Sequence, residues 1–310
     1  DRGTGYNFFD GTSWGAQPTA RLESSRGGWP SIIALGNGGE CAITHNTANS
    51  LINNTSRAYV GAGAWTENTI TPDYLIWNRS ATGGIDGNTI HMIALTEPSG
   101  GDWTGTPFNG VSGALLYYRS QDGGITWDIT DMQLPGTDSS SQIGMSGDVY
   151  AIAAEGETVV VAYFDDWGDS FIVKSTDNGV TWNTTGLSYD VDQAQTVNKV
   201  IINPNFPDSL YAVTNSSILI SPDGGDNWQI VGSIGRWRDI ELKADDPNVI
   251  YAAKQSSGGS SIYRSLDGGI NWNVISNGMS GSRYRPLIAV TPENPNVIYA
   301  LFSASDYGFH

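Results

Sequence analysis

Arginine and aromatic residues alternate in two similar segments near the end of the chain. One is "GRWRDIEL", which starts at Gly235, and the other is "SRYRPLIAV", which starts at Ser282. Together they hold four of the 15 basic residues of a chain that has 32 acidic ones. The residues concerned are Arg236, Trp237, Arg238, Asp239, Arg283, Tyr284 and Arg285.

These residue types can recognise an acidic ligand. A guanidinium group binds a carboxylate through two parallel hydrogen bonds, and a Trp or Tyr ring offers a flat face on which a sugar can stack. The two segments occupy equivalent places, because each precedes a run of strand-forming residues. They predict a binding site for an acidic glycan or a peptide carboxylate. The alternative is that the arginines pair with nearby Asp and Glu side chains and connect neighbouring strands.

Charge and hydropathy exclude two classes of partner. The net charge of −17 repels a phosphate backbone, so nucleic acid is not an expected partner. The longest apolar runs, such as "VVVAYF" at positions 159–164, have the length of a strand, so no membrane-spanning segment is predicted.

Cysteine and histidine are too few for a disulfide framework or a zinc site. Cys41 is the only cysteine and the chain has three histidines, so we expect Cys41 to be a small buried apolar side chain. No cofactor is required by the sequence. The acidic segments "FDDWGDS" at 164–170 and "YDVDQ" at 189–193 are either solvated loops or oxygen-rich calcium sites.

The elements that must position these residues are marked by an eight-residue repeat, Ser-x-Asp-x-Gly-x-Thr/Asn-Trp. It is written "SQDGGITW" at 120–127, "STDNGVTW" at 175–182, "SPDGGDNW" at 221–228 and "SLDGGINW" at 265–272. Each copy follows a β-rich stretch and supplies Gly or Asn for positive φ, an Asp that can accept hydrogen bonds from the turn, and a Trp for packing. The four copies predict hairpins built on Asp122, Trp127, Asp177, Trp182, Asp223, Trp228, Asp267 and Trp272.

A second repeated phrase predicts another pair of strands in each unit. "INPNFPDSLYAV", "ADDPNVIYAA" and "PENPNVIYAL" each place a Pro-Asn or Pro-Asp turn between an incoming strand and a strand that ends in Tyr-Ala. The aspartates of the eight-residue repeats are 55, 46 and 44 residues apart. This spacing is typical of a four-stranded propeller blade.

The eight-residue repeat resembles the Asp-box, or bacterial neuraminidase repeat, of β-propellers such as sialidases, the sortilin ectodomain and xyloglucan-degrading hydrolases. The resemblance implies an all-β fold, a β-propeller of four-stranded antiparallel blades with Asp-box hairpins on the outer strands, over residues 1–310 as one domain. It also implies that the box aspartates are structural, because in those families the boxes lie away from the ligand-binding face.

Weaker copies upstream raise the expected number of blades to seven, with six as the alternative. "NRSATGG" at 78–84 aligns with "YRSLDGG" as a degenerate box, and "YNFFDGTSW" at 6–14 is expected to form another outer hairpin. The segment from Trp29, "WPSIIALGNGGECAITHN", predicts two strands around a Gly-Asn-Gly-Gly turn. Trp65, Trp103 and Trp167 lie outside the boxes and are either sugar platforms or packing residues.

The resemblance also implies a catalytic alternative. Sialidases carry an Arg-Ile-Pro motif, two further arginines that clamp the substrate carboxylate, a Tyr nucleophile with a Glu partner, and an Asp acid. Here Arg26 precedes a Pro-Ser-Ile strand, so Arg26, Arg238 and Arg285 are the candidate clamp, with Tyr284 and Asp239 as candidate catalytic residues. No Glu is assignable as the partner of Tyr284. The Asp-Val-Gly-Gly phrase of xyloglucanases is missing, and only Asp239 has a comparable place.

Three functions are therefore expected from the sequence: binding of a glycan or an extracellular protein, sialidase-like hydrolysis, and a scaffold role in a larger secreted protein. Scarce lysine, abundant Asn, Thr, Ser and Gly, and an acidic surface favour an exported or cell-surface protein. The spacing of the repeats leads us to expect a further box just past His310, and hence further parts of the same polypeptide.

Overall fold

The computed structural model describes residues 3–47, 50–70, 74–147, 149–164, 169–189, 196–232, 234–256, 259–277, 279 and 284–303. Over these residues all regular structure is β-strand, and no helix is present. None of the described residues therefore belongs to a helix that is long and apolar enough to cross a membrane. The all-β prediction is confirmed.

Strands that follow one another in the chain form five four-stranded sheets. The first sheet contains β1 (Gly27–Ala34), β2 (Glu40–Asn46), β3 (Leu51–Arg57) and β4 (Thr66–Ile70). The second contains β5 (Leu75–Gly83), β6 (Thr89–Thr96), β9 (Leu115–Ser120) and β10 (Ile129–Gln133), with the small hairpin β7 (Ser99–Gly100) and β8 (Trp103–Thr104) inserted after β6. The third contains β11 (Tyr150–Glu155), β12 (Thr158–Tyr163), β13 (Ser170–Ser175) and β14 (Asn183–Tyr189).

The last two four-stranded sheets and one further pair complete the described strands. The fourth sheet contains β15 (Val197–Asn203), β16 (Phe206–Thr214), β17 (Ile218–Ser221) and β18 (Gln229–Val231). The fifth contains β19 (Arg236–Lys243), β20 (Asp246–Gln255), β21 (Ser261–Ser265) and β22 (Asn273–Val274). The terminal pair is β23 (Tyr284–Val290) and β24 (Ile298–Ser303). All strand pairs with a described register are antiparallel, as predicted.

The chain divides into two compact units. The first comprises Asp1–Asp148, Ile152–Val159 and Ser175–Asn183, and the second comprises Val149–Ala151, Val160–Lys174 and Thr184–His310. The core of the first unit is made by inward-facing residues of its strands, including Ile43, Ile52, Ile90 and Leu116. Cys41 lies in this core, donates to the side-chain oxygen of Asn54 at 2.6 Å, and has its pKa raised to about 12 by burial. Cys41 is therefore buried, as we expected for the only cysteine of the chain.

The four eight-residue repeats form nearly identical turns. In each, the two residues after the Asp have positive φ, as at Gly268 (70°) and Gly269 (97°), which only Gly or Asn adopts at low cost. The Ser hydroxyl accepts the amide proton of the second of these residues, at 2.8 Å from Ser265 to Gly269. The Asp267 carboxylate accepts the backbone and side-chain N–H groups of Asn271 at 2.9 and 2.7 Å. The predicted hairpin mechanism is confirmed.

Hydrogen bonding gives these carboxylates low pKa values. At Asp267 the backbone N–H of Asn271 is the largest cause, followed by the Asn271 amide and the Ser265 hydroxyl, and the pKa falls to about 2. Three of the Trp residues close their turns, because the indole N–H groups of Trp182, Trp228 and Trp272 donate to the carbonyls of Gly179, Gly225 and Gly269 at 3.1, 2.9 and 2.8 Å. The hydrogen-bond donors to the Asp carboxylate and to the Gly carbonyl therefore all come from the repeat itself.

The two-strand prediction from Trp29 and the three Pro-Asn or Pro-Asp phrases match strand pairs β1–β2, β15–β16, β19–β20 and β23–β24. The place of the turn is wrong for β19–β20, where Ala244 and Asp245 form the turn and Pro247 and Asn248 lie in β20. The alignment of "NRSATGG" with a box is wrong. Residues 78–83 lie in β5, which is the edge strand of the second sheet, whereas boxes follow third strands such as β9. The partners of a strand depend on its register with neighbouring strands. The "RS" and Gly-Gly that this segment shares with a box therefore did not determine its position in the sheet.

The segment "YNFFDGTSW" forms a hairpin outside the four-stranded sheets. Phe9 and Trp14 form an antiparallel bridge, and the Asp10 carboxylate accepts the backbone N–H groups of Thr12 and Ser13, both at 2.8 Å. Tyr6 attaches this hairpin to the first sheet, because its hydroxyl donates to Glu40 at 2.9 Å and Arg57 lies over its ring at 4.5 Å. The hairpin is present, but its expected place on the outer strands of a blade is not, because these residues belong to none of the described sheets.

Candidate functional site

The first strand of several sheets has a β-bulge close to its start. In each bulge one extra residue is inserted opposite the second strand, which turns the local side chains away from the normal alternation. The bulges contain Trp29 in β1, Trp77 in β5, Asn198 in β15, Arg238 in β19 and Arg285 in β23. Bulges often re-aim side chains beside functional sites, so these five equivalent positions are the candidate site residues.

Three of the bulge residues have a backbone conformation that is costly for a large side chain. The φ angles are 49° at Trp29, 51° at Trp77 and 36° at Arg285. A non-glycine residue in this region costs about 1–3 kcal/mol and persists only where the surrounding structure holds it. This conformational cost recurs in the bulges of three first strands. Its recurrence indicates that the orientation of these side chains is functionally important.

In the second unit the candidate site is the row formed by Asn198, Arg238 and Arg285, which we call the basic row. Arg238 is half-buried, and its guanidinium donates to the amide oxygens of Gln255 at 2.6 Å and Asn198 at 3.2 Å. Asn198 in turn donates to the carbonyl of Trp237 at 2.7 Å. The two amide oxygens orient the guanidinium through contacts that carry no net charge.

The other predicted ligand-binding residues of this region have different environments. Arg236 is exposed at the first position of β19, and Arg285 is exposed in the bulge of β23. Tyr284, at the start of β23, is half-buried and lies opposite Ser303. Arg283 lies outside the described residues. The structure thus places Arg236, Arg238 and Arg285 on neighbouring first strands of one unit, as the matched segments implied.

Trp237 is not available to a ligand. Its side chain is fully buried and packs in the core of the second unit, with ring centroids 5.0 Å from Tyr263 and 6.0 Å from Trp272. A sugar cannot stack on a ring that has no exposed face. The bulge between Trp237 and Asp239 explains the error, because it interrupts the alternation of β19 and lets Trp237 face the same core as Ile240.

Asp239, the candidate acid, is almost fully buried. It is 3% exposed, and its carboxylate accepts the Lys199 ammonium at 2.9 Å and the backbone N–H groups of Ile240 and Ile288 at 2.9 and 2.7 Å. Lys199 also donates to Glu241 at 2.7 Å. Burial raises the pKa of Glu241, and this outweighs the attraction of Lys199, which lowers it. Burial would lower the pKa of Lys199, but the two carboxylates raise it.

Arg26 lies in the first unit, next to the start of β1. Its side chain is exposed, and its carbonyl oxygen accepts the backbone N–H and the hydroxyl of Thr47 at 2.9 and 3.0 Å. Arg238 and Arg285 belong to the second unit, so a clamp of all three arginines stays a prediction.

The first unit contains a second candidate site that the sequence analysis missed in part. Trp29, Trp77 and Trp103, which we call the tryptophan cluster, have ring centroids 5.8 Å apart for the first pair and 5.5 Å apart for the second. His45 lies behind Trp29 at 6.0 Å. A signal was present in the sequence, because the "WP" that starts β1 has the same place as the "RP" of Arg285 in β23.

No described group of side chains is arranged to hold a metal ion. Among the described residues, no three His, Cys, Asp or Glu side chains come together in this way. Most of the two acidic segments considered for calcium lies outside the described part of the chain, namely residues 165–168 of the first and 190–193 of the second. The calcium hypothesis therefore stays a prediction.

No protein-family model and no curated protein sequence matches the chain. Solved structures do match. A mutant form of the NanB sialidase from Streptococcus pneumoniae is 12% identical with a TM-score of 0.57, and the match covers 94% of this chain and 67% of that one. The SapL1 lectin, solved with alpha methyl fucoside, is 13% identical with a TM-score of 0.53, and the match covers 87% and 86%.

An ancestral GH74 enzyme is 16% identical with a TM-score of 0.56. The match covers 86% of this chain but only 34% of that enzyme, so the chain spans about a third of its length. At these identities the similarity concerns the fold alone. The fold is an all-β, propeller-like arrangement of four-stranded antiparallel sheets, of the kind found in these sialidase and lectin structures.

Proposed function

We propose that the chain is an exported or cell-surface Asp-box β-propeller that binds an acidic glycan through the basic row. The observation that carries this proposal is the placement of Arg238 and Arg285 in equivalent bulges of neighbouring first strands, with the Arg238 guanidinium oriented by Asn198 and Gln255. A pre-oriented guanidinium loses little rotamer entropy when it binds a carboxylate. The half-buried position of Arg238 also strengthens such a bond, because water screens it less.

The Asp-box assignment rests on four turns with one hydrogen-bond pattern. In the repeat at 175–182, Ser175 accepts the Gly179 amide at 2.9 Å, and Asp177 accepts the Thr181 amide at 2.8 Å and the Thr181 hydroxyl at 2.6 Å. The other repeats use the same positions. We place residues 1–310 in one exported propeller domain and retain seven blades as the expected number.

Binding is favoured over hydrolysis by the engagement of Asp239. Two backbone N–H groups and the Lys199 ammonium surround its carboxylate, which is only 3% exposed, so it is poorly placed to protonate a leaving group. Tyr284 keeps a candidate nucleophile position, but no carboxylate partner for it is assigned. The catalytic alternative is tested directly by hydrolysis of a fluorogenic sialoside, and turnover that depends on Tyr284 would replace binding with catalysis as the function.

Calorimetric titration of the purified chain with 3′-sialyllactose, oligogalacturonate and lactose tests the binding proposal. We expect at least one of the two acidic probes to bind, and lactose to bind far more weakly. Arg238→Ala and Arg285→Ala should each weaken acidic binding about tenfold or more. Arg264→Ala is the matched control, because Arg264 is exposed on β21 of the same sheet as Arg238.

Two results would contradict the proposal. One is that neither acidic probe binds, and the other is that Arg264→Ala weakens binding as much as Arg238→Ala. If the chain binds a peptide carboxylate and neither glycan, its ligand is an extracellular protein and not a glycan. Retained binding in both arginine variants would place the acidic site outside the basic row, and absence of binding for every probe would favour the scaffold role.

A further inference from the structure

We infer that the tryptophan cluster of the first unit is a second binding site, which takes a neutral pyranose sugar. This site goes beyond the proposed function, because it uses no residue of the basic row and no charge on the ligand. The inference rests on the backbone of Trp29 and Trp77, on the contacts between the three rings, and on the way Trp103 is held.

The backbone conformation points to a role for Trp29 and Trp77 beyond filling space. Both residues occupy bulges on first strands and both have positive φ, at 49° and 51°. A large side chain in this conformation is an outlier, and packing alone can be achieved from a regular strand without that strain. The same bulge position carries Arg238 and Arg285 in other sheets, so it presents polar binding groups there and aromatic rings here.

Ring geometry identifies the kind of ligand that fits. Trp77 and Trp103 are 5.5 Å apart with an interplanar angle of 80°, so the two rings form a corner. A cage for a quaternary ammonium group would need rings separated by the cation, whereas these rings touch each other. A pyranose fits such a corner, because its C–H face can lie on one indole while its edge meets the other.

The corner is held rigidly by its surroundings. Trp103 belongs to the small hairpin β7–β8, and the neighbouring Thr104 donates from its amide and its hydroxyl to Glu97 at 3.2 and 3.1 Å. Trp77 lies on Gly147, where an added Cβ would be only 2.8 Å from the indole ring. Trp103 is still 40% exposed, so a ligand can reach it. A pre-formed aromatic surface of this kind binds without a large ordering cost.

Charge favours a neutral ligand. The chain carries a net charge of −17, which disfavours an anion at a site whose rings supply no positive charge. Direct contact between the Trp77 and Trp103 rings leaves no space for a cation between them. A neutral sugar, with its apolar C–H face and its ring of hydroxyl groups, matches an aromatic corner that is open to solvent on one side.

The test uses the full chain and four probes: the methyl glycosides of glucose, galactose, mannose and fucose. Saturation-transfer NMR and tryptophan fluorescence would measure binding to the wild type, Trp103→Ala and Trp14→Ala. Trp14 is the matched control, because it is 62% exposed in the same unit but lies outside the cluster. We expect at least one probe to bind, Trp103→Ala to weaken that binding about tenfold, and Trp14→Ala to leave it unchanged.

A second variant tests the corner without removing a tryptophan. Gly147→Ala should displace the Trp77 ring and weaken binding of the same probe while Trp103 stays in place. The inference is overturned if none of the four probes binds, or if Trp103→Ala binds as well as the wild type. Arg238→Ala should retain this binding. Failure of the basic row would appear as no binding of the acidic probes, whereas failure of the tryptophan cluster would appear as no binding of the neutral methyl glycosides.

Discussion

The carboxylate of Asp239 accepts a hydrogen bond of 2.7 Å from the backbone N–H of Ile288, which lies 49 residues further along the chain. The same carboxylate binds the ammonium group of Lys199, 40 residues earlier. Asp239 lies in β19, Lys199 in β15 and Ile288 in β23, so one side chain connects three successive first strands. Because the bulge of β19 immediately precedes it, Asp239 also fixes the place of Arg238 in the basic row.

Replacement of Asp239 should therefore reduce stability. Asp239→Ala leaves the Ile288 amide and the Lys199 ammonium without this acceptor in a region that is largely buried, and we expect a loss of about 1–3 kcal/mol in the free energy of unfolding. Asp239→Asn should lose less, since its side-chain oxygen can still accept from Ile288. Urea unfolding of the purified variants, followed by tryptophan fluorescence, measures both effects.

A matched control separates this connection from an ordinary surface ion pair. Lys174 and Asp208 are 2.9 Å apart in the same unit, but the Asp208 side chain is 77% exposed. Asp208→Ala should cost less than about 1 kcal/mol. Equal unfolding midpoints for Asp239→Ala and the wild type would show that the three strands do not depend on Asp239.

The repeats offer a sharper comparison within one turn. Asp223 accepts the Asn227 amide at 2.8 Å, the Asn227 side-chain N–H at 2.6 Å and the Ser221 hydroxyl at 2.9 Å, whereas the nearby Asp226 is exposed. Asp223→Ala should lower the melting temperature by a few degrees, and Asp226→Ala should leave it unchanged although both remove one negative charge. Binding of acidic probes by the folded Asp223→Ala protein should equal that of the wild type. Weakened binding at an unchanged melting temperature would instead give the box Asp a part in ligand recognition.

Local pattern was sufficient to predict many of the strands and the turns in which the repeat aspartates accept hydrogen bonds. Alternating apolar residues and an Asp-Gly-Gly turn act within eight residues, so the hairpins at Asp223 and Asp267 follow from sequence alone. The pattern "RWR" alone does not place Trp237, because the bulge at Arg238 interrupts the alternation of β19 and lets Trp237 and Ile240 face the same core. Strict alternation would have put these two residues on opposite faces of the strand.

Bulges and contacts between sheets could not be predicted in the same way. A bulge is defined by the register between two strands. The sequence of β5 alone therefore does not predict that an extra residue is inserted at Trp77 opposite β6. The link from Asp239 to Ile288 depends on which first strands are neighbours, and the residues involved are 49 positions apart. The tryptophan cluster combines both difficulties, since it joins Trp29, Trp77 and Trp103 from two sheets and an inserted hairpin.

A buried histidine should make the stability of the first unit depend on pH. His91 lies in β6 and its Nδ1 is 2.7 Å from the Tyr117 hydroxyl. Burial is the largest cause that lowers the pKa of His91, followed by the charge of Arg119, and the pKa falls from 6.5 to about 4. Between these two values the unfolded chain binds a proton at His91 and the folded chain does not. Stability is therefore full above about pH 6.5 and is lost as the pH falls toward 4.

The measurement is the free energy of unfolding at several pH values from near neutral to about pH 4 for the wild type and His91→Gln. Glutamine can still bond to the Tyr117 hydroxyl but does not titrate, so its stability should fall less steeply in this window. Tyr117 itself does not contribute there, because burial raises the pKa of its hydroxyl above the ordinary range. His45→Gln, made at the other histidine among the described residues, controls for the general effect of replacing a buried imidazole. Parallel stability curves for the wild type and His91→Gln would rule out His91 as the source of the acid sensitivity.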